Sequence, residues 1–285
     1  MYNTLMVVDG KQIAQGVLDN LKKRVEELNE GGITPHLAVI LIGDDESSKA
    51  YVRQKELKIN EIGGAITIHR FKNNFSESEL LELINKLNND PIVHGIIIQR
   101  PLPPHIDKDK VTNATTREKD VDGFCADTLF DAPVAQAVWR ILKEVYMQIG
   151  DNDSSFEEWL KVKKVAIMGK GQTAGMPIIN FFDRKNIPLT IIDSKTDNKA
   201  EIIQDADILI SAVGKEHVIT NDMIKAGVIL VGVGMGRGID GKMHGDYIEE
   251  EVSSKAAFYT PVPGGVGPVN VAMLLSNLIK SSENN

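Results

Sequence analysis

Lys164-Val165-Ala166-Ile167-Met168-Gly169-Lys170-Gly171-Gln172-Thr173-Ala174-Gly175-Met176-Pro177 is the stretch that decides the fold. Lys164 to Met168 reads as a buried strand, and the residues from Pro177 to about Asp183 read as a helix. Gly169 allows a tight turn after the strand. Gly171 lets the backbone approach a pyrophosphate at a helix N-terminus, where unpaired N–H groups and the helix dipole favour anions. Gly175 permits close packing of the helix. The spacing G-x-G-x-x-x-G is one residue longer than the usual dinucleotide fingerprint, so its meaning rests on the strand–loop–helix context. Pro188 to Ile192 reads as a second strand, ending in Asp193 and followed by Ser194. Asp207 to Ser211 and Val228 to Val233 read as further strands, with helices between them. The pattern predicts a Rossmann-type nucleotide domain. The glycines that follow, Gly232, Gly234, Gly236 and Gly238, read as a flexible loop beside the nucleotide.

Upstream, the order of elements is helix, strand, helix, strand, helix, strand, which predicts a second α/β domain with a mostly parallel sheet. Gln12 to Leu28 has apolar residues at helical spacing. Leu37 to Ile42 is a short apolar run, a strand buried on both faces. Asp45 to Ile62 reads as a helix on which Ser48, Tyr51 and Lys55 share one side. Taken alone, that trio fits equally a Tyr packed against a snorkelling Lys stem. Ala65 to Phe71 alternates like a strand, and Ser76-Glu77-Ser78-Glu79 is a capping box opening a helix to about Leu87. The strand Gly95 to Ile98 runs into Gln99-Arg100-Pro101-Leu102-Pro103-Pro104. Prolines cannot continue a central strand, so Gln99 sits at a strand's carboxyl end, where open α/β sheets bind ligands; from position alone, a buried amide pinning the loop fits equally. In Lys119-Asp120-Val121-Asp122-Gly123, Asp120 reads as an Asx-turn residue, while Asp122 can aim its carboxylate into a ligand site. Pro133 to Met147 reads as a helix, and the polar break from Gln148 to Ser155 as the domain boundary. Thr260-Pro261-Val262-Pro263-Gly264-Gly265-Val266-Gly267-Pro268 reads as a loop that shapes backbone around a ligand, with a purely structural loop as the alternative, and leads into an apolar helix, Val269 to Ile279.

Composition narrows the function classes. A chain of 285 residues is one large domain or two ordinary ones. Hydrophobic content of 42% and charged content of 25% are those of a soluble globular protein. The net charge of -8 argues against nucleic acid as a partner. The single cysteine, Cys125, cannot form an intrachain disulfide, and the six scattered histidines offer no metal site. Met1 to Gly10 lacks the pattern of a secretory signal, and no apolar run approaches the ~18 residues a membrane span needs. A cytoplasmic protein with no membrane partner is the expectation.

Together, Ser48-x-x-Tyr51-x-x-x-Lys55, Gln99-x-Pro101-Leu102-Pro103, Lys119-Asp120-Val121-Asp122-Gly123 and Pro263-Gly264-Gly265-Val266-Gly267-Pro268 are specific. The chain resembles, from about Asp9 to Asn277, the bifunctional methylenetetrahydrofolate dehydrogenase/methenyltetrahydrofolate cyclohydrolase family. The resemblance implies two α/β domains around a cleft. Residues 1–148 would form the folate-binding catalytic domain, with the terminal helix 269–285 returning to it, and 149–268 a Rossmann-type NAD(P)-binding domain. The implied reactions are oxidation of methylenetetrahydrofolate by a nicotinamide cofactor and hydrolysis of the methenyl product to formyltetrahydrofolate. By the same resemblance, Lys55 is the catalytic lysine of hydrolysis, Gln99 orients it, and Tyr51 stacks on the folate beside Ser48. Asp122 accepts hydrogen bonds from the pterin, and Pro263, Gly264 and Gly265 line the folate pocket. Gly169, Lys170, Gly171, Gly175, Asp193, Ser194 and Gly234 would bind the cofactor. A homodimer through the nucleotide domain is also implied, with no metal.

Several positions depart from the family pattern. Arg100 stands for the usual Leu, and Asp131-Ala132-Pro133-Val134 replaces a Pro-Cys-Thr-Pro run. Lys170, Gly171 and Ala174 stand for Arg, Ser and Val, Gly232 for Asp, and Val269-Asn270 for Met-Thr. The folate side is retained while the cofactor side has drifted. NADP is the family's usual cofactor, and Lys170 and Ser194 are candidate ligands for its phosphate. An acid such as Asp193 at the end of the second strand favours NAD instead. The drift leaves open a cyclohydrolase with weak or lost dehydrogenase activity, and a non-catalytic folate- or nucleotide-binding protein is a further alternative.

Overall fold

Apolar runs become strands and amphipathic runs become helices in the computed structural model, which describes residues 6–150, 154–238, 241 and 243–284. The start of the Met1 to Gly10 segment and the middle of the 148–155 break lie outside the described residues. The chain divides into two compact units. One comprises Met1–Ala14 and Val134–Asn270, the other Gln15–Pro133 and Val271–Asn285. In chain order the first elements are β1 (Met6–Val7), α1 (Gly10–Glu30), β2 (His36–Ile42), α2 (Glu46–Glu61), β3 (Ala65–Phe71), α3 (Glu77–Asn89), β4 (Gly95–Ile98) and α4 (Lys108–Thr112). Then come α5 (Pro133–Ile149), α6 (Phe156–Lys161), β5 (Val165–Met168), α7 (Gly175–Arg184), β6 (Leu189–Ile192), α8 (Lys199–Asp205), β7 (Ile208–Ser211) and β8 (Ile229–Gly232). The last are β9 (Met235–Arg237), β10 (Met243–Gly245), α9 (Glu249–Val252), β11 (Phe258–Tyr259) and α10 (Val266–Glu283).

The unit built on Gln15–Pro133 has a three-stranded parallel sheet in the order β3-β2-β4. All but the first residue of β2 is buried, as a central parallel strand requires. Ala38, Ile40 and Ile42 pack with Leu80, Ile84 and Leu87 of α3 in one core cluster. Ser76 caps α3 in the predicted capping box. The final segment completes this unit. Asn277 Nδ2 of α10 donates to the carbonyls of Val121 (2.9 Å) and Asp131 (3.0 Å), and the single proton of Ser281 Oγ is shared between those of His94 (2.6 Å) and Glu118 (2.8 Å). Gly95 lets the helix come this close, since a Cβ there would stand 2.8 Å from Leu278 Cδ1.

Lys119 serves this packing rather than a ligand. It is buried, and its Nζ donates to the carbonyls of Leu87 (3.0 Å) and Asp90 (2.7 Å) at the end of α3. Burial lowers its pKa, and Asp90 opposes that shift. Removing it strands two carbonyls of the helix terminus. Lys119→Met is expected to lower unfolding free energy by about 2–3 kcal/mol, at the upper end for hydrogen bonds to a charged group. Urea denaturation of the two proteins checks this.

The unit built on Val134–Asn270 has a six-stranded sheet in the order β1-β11-β8-β7-β5-β6, every neighbouring pair parallel. α5 belongs to this unit through Trp139, whose ring meets Phe156, Phe181 and Phe182 edge-on. β5 lies between β6 and β7, so the strand order reverses beside it. That reversal opens a crevice at the carboxyl ends of β5 and β7, the usual ligand position in such sheets. Two of the four glycines expected in a flexible loop lie in strands, while Gly234 and Gly238 lie outside them. Gly232 closes β8 and Gly236 lies in β9, which pairs antiparallel with β10. A loop reading failed there because the pairing partner lies several residues downstream and glycine carries no strand pattern of its own.

Candidate active site

On α2 the buried stripe is Ser48, Val52, Lys55 and Ile59, at helical spacing. A lysine thus occupies a core position, with its residue only 9% exposed. The helix starts at Asp45, whose Oδ2 accepts from Ser48 N (2.7 Å) and Ser48 Oγ (2.8 Å). The cap fixes the phase of the helix and hence the direction in which Lys55 points. Tyr51, half-buried one turn before Lys55, has its pKa raised by burial.

Gln99 follows β4, and its N–H extends the ladder to Ile40 O at 2.9 Å. Its side chain is held at both ends. Nε2 donates to Arg100 O at 2.9 Å, and Oε1 accepts from Lys55 Nζ at 2.8 Å. A carbonyl only accepts, so the amide cannot flip without losing both bonds. Ser48 Oγ also reaches Arg100 O, at 3.3 Å. Ser48, Lys55 and Gln99 therefore form one connected group. The Arg100 side chain is directed elsewhere: Nη2 donates to Thr112 Oγ1 at 2.8 Å and the guanidinium lies 4.5 Å from the Phe124 ring centroid.

Asp122 lies in the turn that Gly123 closes in the left-handed region, φ +72°. The neighbouring Asp120 does not make the expected Asx-turn bond two residues on; its carboxylate instead accepts from Cys125 N, five residues on, at 2.8 Å. Burial raises the pKa of Asp122, opposed by the charge of Lys55 and, more weakly, of Arg100. Burial lowers the pKa of Lys55, opposed by Asp122. The chemistry available is that of an amine brought toward neutrality, within electrostatic reach of a carboxylate.

In the nucleotide-fold unit, Gly169 (φ +100°) and Gly175 are forced by close approach. A Cβ on Gly169 would stand 2.5 Å from Ala212 O, and one on Gly175 2.2 Å from Gly169 O. Gly171 has no atom within 4 Å of that position, and Ala174 gives α7 no side-chain cap. In the first turn of α7, Met176 N donates to Gly171 O (3.0 Å), Ile178 N donates to Ala174 O (3.1 Å) and Pro177 has no N–H, so the helix entry presents chiefly the exposed loop of residues 170–173. Lys170 Nζ pairs with Asp193 Oδ2 at 2.5 Å, and Asp193 Oδ1 accepts from Lys195 N (2.8 Å) and Thr196 Oγ1 (3.3 Å). These contacts, the Lys170 bond first among them, hold the Asp193 pKa down at about 2. Ser194 is exposed beside this pair.

The Pro263-Gly264-Gly265 loop belongs to the same unit. Gly264 has φ +119°, Gly265 N donates to Pro261 O at 2.8 Å, and Val262 N donates to Glu249 Oε1 at 2.8 Å. Gly234 sits against Asp246 and Gly214, its would-be Cβ 2.3 Å from Asp246 Oδ2. Gly232 makes room for the Tyr247 hydroxyl, 2.7 Å from where a Cβ would be. Sequence patterns did not single out Asp246, Tyr247 or Glu249. Among the described residues, no group of three or more His, Cys, Asp and Glu residues could hold a metal ion, and no helix is long and apolar enough to cross a membrane.

Comparison with known proteins agrees along the whole chain. The catalytic-domain model of tetrahydrofolate dehydrogenase/cyclohydrolase matches residues 8–122, and the NAD(P)-binding-domain model of the same family matches 135–285. The bifunctional protein FolD of Nautilia profundicola is 39% identical over 280 residues, 98% of each chain. That of Moorella thermoacetica is 39% identical over 276 residues, 97% of this chain and 98% of its own. The crystal structure of FolD from Campylobacter jejuni superposes with a TM-score of 0.90 at 35% identity, covering 99% of both chains. That of the Trypanosoma brucei enzyme, complexed with NADP and an inhibitor, gives 0.87 at 28% identity over 98% of this chain and 97% of its own. With both family models matched in order and full-length relatives well above the level of chance likeness, the chain belongs to the tetrahydrofolate dehydrogenase/cyclohydrolase family.

Proposed function

We propose that Lys55 is the general base in the hydrolytic half of a two-step folate enzyme. The enzyme oxidises 5,10-methylenetetrahydrofolate with a nicotinamide dinucleotide and hydrolyses the methenyl product to 10-formyltetrahydrofolate. The observation that carries the reading is a buried lysine whose Nζ is held by the fixed amide of Gln99. In the neutral amine, a hydrogen bond to Gln99 leaves the lone pair for a water that attacks the methenyl carbon. Lys55 takes a proton from the attacking water; as the C–N bond of the resulting carbinolamine breaks, the ammonium returns that proton to the leaving ring nitrogen and the hydroxyl proton is released to solvent, giving the formyl product. On this reading Tyr51 and Ser48 contact the folate, and Asp122 accepts from the pterin amino and ring N–H groups. Pro263, Gly264 and Gly265 contribute backbone to the folate pocket. The unit containing Gln15–Pro133 and Val271–Asn285 is then the folate unit and the other the cofactor unit.

The exposed loop of residues 170–173 between β5 and α7 suits a dinucleotide pyrophosphate, with Gly169, Gly171 and Gly175 shaping it and Gly234 behind the adjoining loop. The cofactor, when bound, supplies the hydride acceptor. NADP is favoured over NAD. Asp193 already spends three acceptor directions on Lys170, Lys195 and Thr196, which leaves little for a ribose diol. Lys170 neutralises it, and with Ser194 offers a cation and a hydroxyl to a 2′-phosphate. We also assign a homodimer through this unit, because β6 is the sheet's outer strand and carries the exposed Ile191. Light scattering should then return twice the 31.3 kDa chain mass.

The deciding assay offers methylenetetrahydrofolate with each cofactor and follows its reduction, with methenyl hydrolysis measured separately. Reduction of both is expected, with kcat/KM for NADP higher by about tenfold, the worth of one added charge-assisted contact. A preference for NAD would overturn the cofactor assignment. Intact hydrolysis with neither cofactor reduced would leave a cyclohydrolase alone.

A further inference from the structure

The segment Gly245-Asp246-Tyr247-Ile248-Glu249 makes contacts out of proportion to its length. Asp246 is fully buried. Its Oδ2 accepts from Ser211 Oγ (2.5 Å) and Val213 N (3.0 Å), and its Oδ1 from Gly214 N (2.9 Å) and Lys215 N (3.1 Å). Three successive backbone amides converging on one point form a nest of the kind that binds anions. Here the chain fills the nest with its own carboxylate. The loop so fixed leaves β7 at the sheet's switch point, where Ala212 O abuts Gly169. One residue on, the Tyr247 hydroxyl donates to Thr260 O at 2.5 Å, and Thr260 Oγ1 accepts from Gly232 N at 2.8 Å. Two residues further, Glu249 Oε1 holds Val262 N at 2.8 Å, immediately before Pro263.

We infer that Gly245–Glu249 is a positioning strut for the dehydrogenase reaction, with Asp246 setting the loop after β7 and Glu249 setting the Pro261–Pro268 run. This rests on the folate-oxidising function proposed above. The loop after β7, at the sheet's switch point, and the Pro261–Pro268 run, proposed to meet the folate, are hydrogen-bonded to one five-residue segment, which sets their spacing. Hydride transfer is sensitive to such spacing, because misplacement by ~1 Å can cost on the order of a hundredfold in rate. Hydrolysis at Lys55 uses no hydride acceptor and does not share this requirement. Asp246 and Glu249 are positioning residues; neither is assigned contact with a reactant.

The test uses the full-length protein and three readouts: NADPH affinity by fluorescence, dehydrogenase kcat and KM, and methenyl hydrolysis. Asp246→Asn puts an NH2 group among amide donors and leaves N–H groups unpaired. It should weaken NADPH binding by about tenfold, with hydrolysis within about twofold of wild type. Glu249→Ala should lower dehydrogenase kcat by about tenfold without moving NADPH affinity, and Glu249→Gln, which keeps an acceptor for Val262 N, should restore it. Parallel loss of all three readouts in Asp246→Asn, or no rescue by Glu249→Gln, would overturn the strut. Variants that match wild type in every readout would do the same. A wild-type protein that neither oxidises methylenetetrahydrofolate nor hydrolyses the methenyl compound would instead overturn the functional reading beneath it.

Discussion

Lys55→Met should reduce hydrolysis of methenyltetrahydrofolate by about a thousandfold, within the range of a positioned general base, while NADPH binds as in wild type. Methionine has the length and flexibility to follow the lysine stem between Val52 and Ile59. It also removes an ionisable group from a buried position, so thermal stability should hold or rise. Hydrolysis at the wild-type rate in this variant would remove Lys55 from the chemistry. The pH profile gives a second handle. Only the neutral amine accepts a proton, and burial lowers the pKa of Lys55. Hydrolytic kcat/KM should therefore rise with pH and level off through an apparent pKa below that of free lysine. Asp122 stabilises the ammonium form and so holds that pKa up. Asp122→Asn should move the rising limb to lower pH; movement to higher pH would contradict the assigned coupling.

Gly175→Ala should produce the opposite pattern, with NADPH affinity lowered by about a hundredfold and hydrolysis retained. The added Cβ would lie 2.2 Å from Gly169 O and 2.8 Å from both Gly169 C and Lys170 Cα. All three are backbone atoms, so no side chain can swing away and the turn after β5 must open. Overpacking of this kind costs about 1–3 kcal/mol, and here it distorts the turn proposed to receive the pyrophosphate. Gly171→Ala is the control for stability, because its Cβ meets nothing within 4 Å. Its melting temperature should match wild type while that of Gly175→Ala falls. Equal NADPH affinity in wild type and Gly175→Ala, by fluorescence titration, would show that this turn does not set the cofactor site.

Much of this arrangement could be read from the chain before the structure. β2 and β4 are buried central strands and appear as unbroken apolar runs. The α3 start was visible because its capping box is local chemistry. Helical spacing put Ser48, Tyr51 and Lys55 on one side of α2, but it did not reveal which of them is buried. A lysine flanked by Arg53, Glu56 and Lys58 looks like any solvated helix residue until the strands beneath it are placed. Asp193 could be located from its distance to Gly169 along the chain, whereas its bond to Lys170 comes from tertiary packing. Asp246 was hidden for a similar reason. It stands just before the acidic run Glu249-Glu250-Glu251, and nothing local distinguishes the buried carboxylate from its neighbours. The short strands β1, β9, β10 and β11 have only two or three residues each, too few to show a period.

The hydrogen bonds from Asn277 and Ser281 have a consequence for biosynthesis. A ribosome makes the chain from its N-terminus, so Gln15–Pro133 emerges well before Val271–Asn285. Until α10 arrives, the carbonyls of Val121, Asp131, His94 and Glu118 lack these donors, and the surface beside Gly95 lacks Leu278. The Lys55 unit therefore waits, unfinished, while every strand of the nucleotide-fold sheet after β1 is translated. The Lys55 unit, begun at Gln15, is the one completed last.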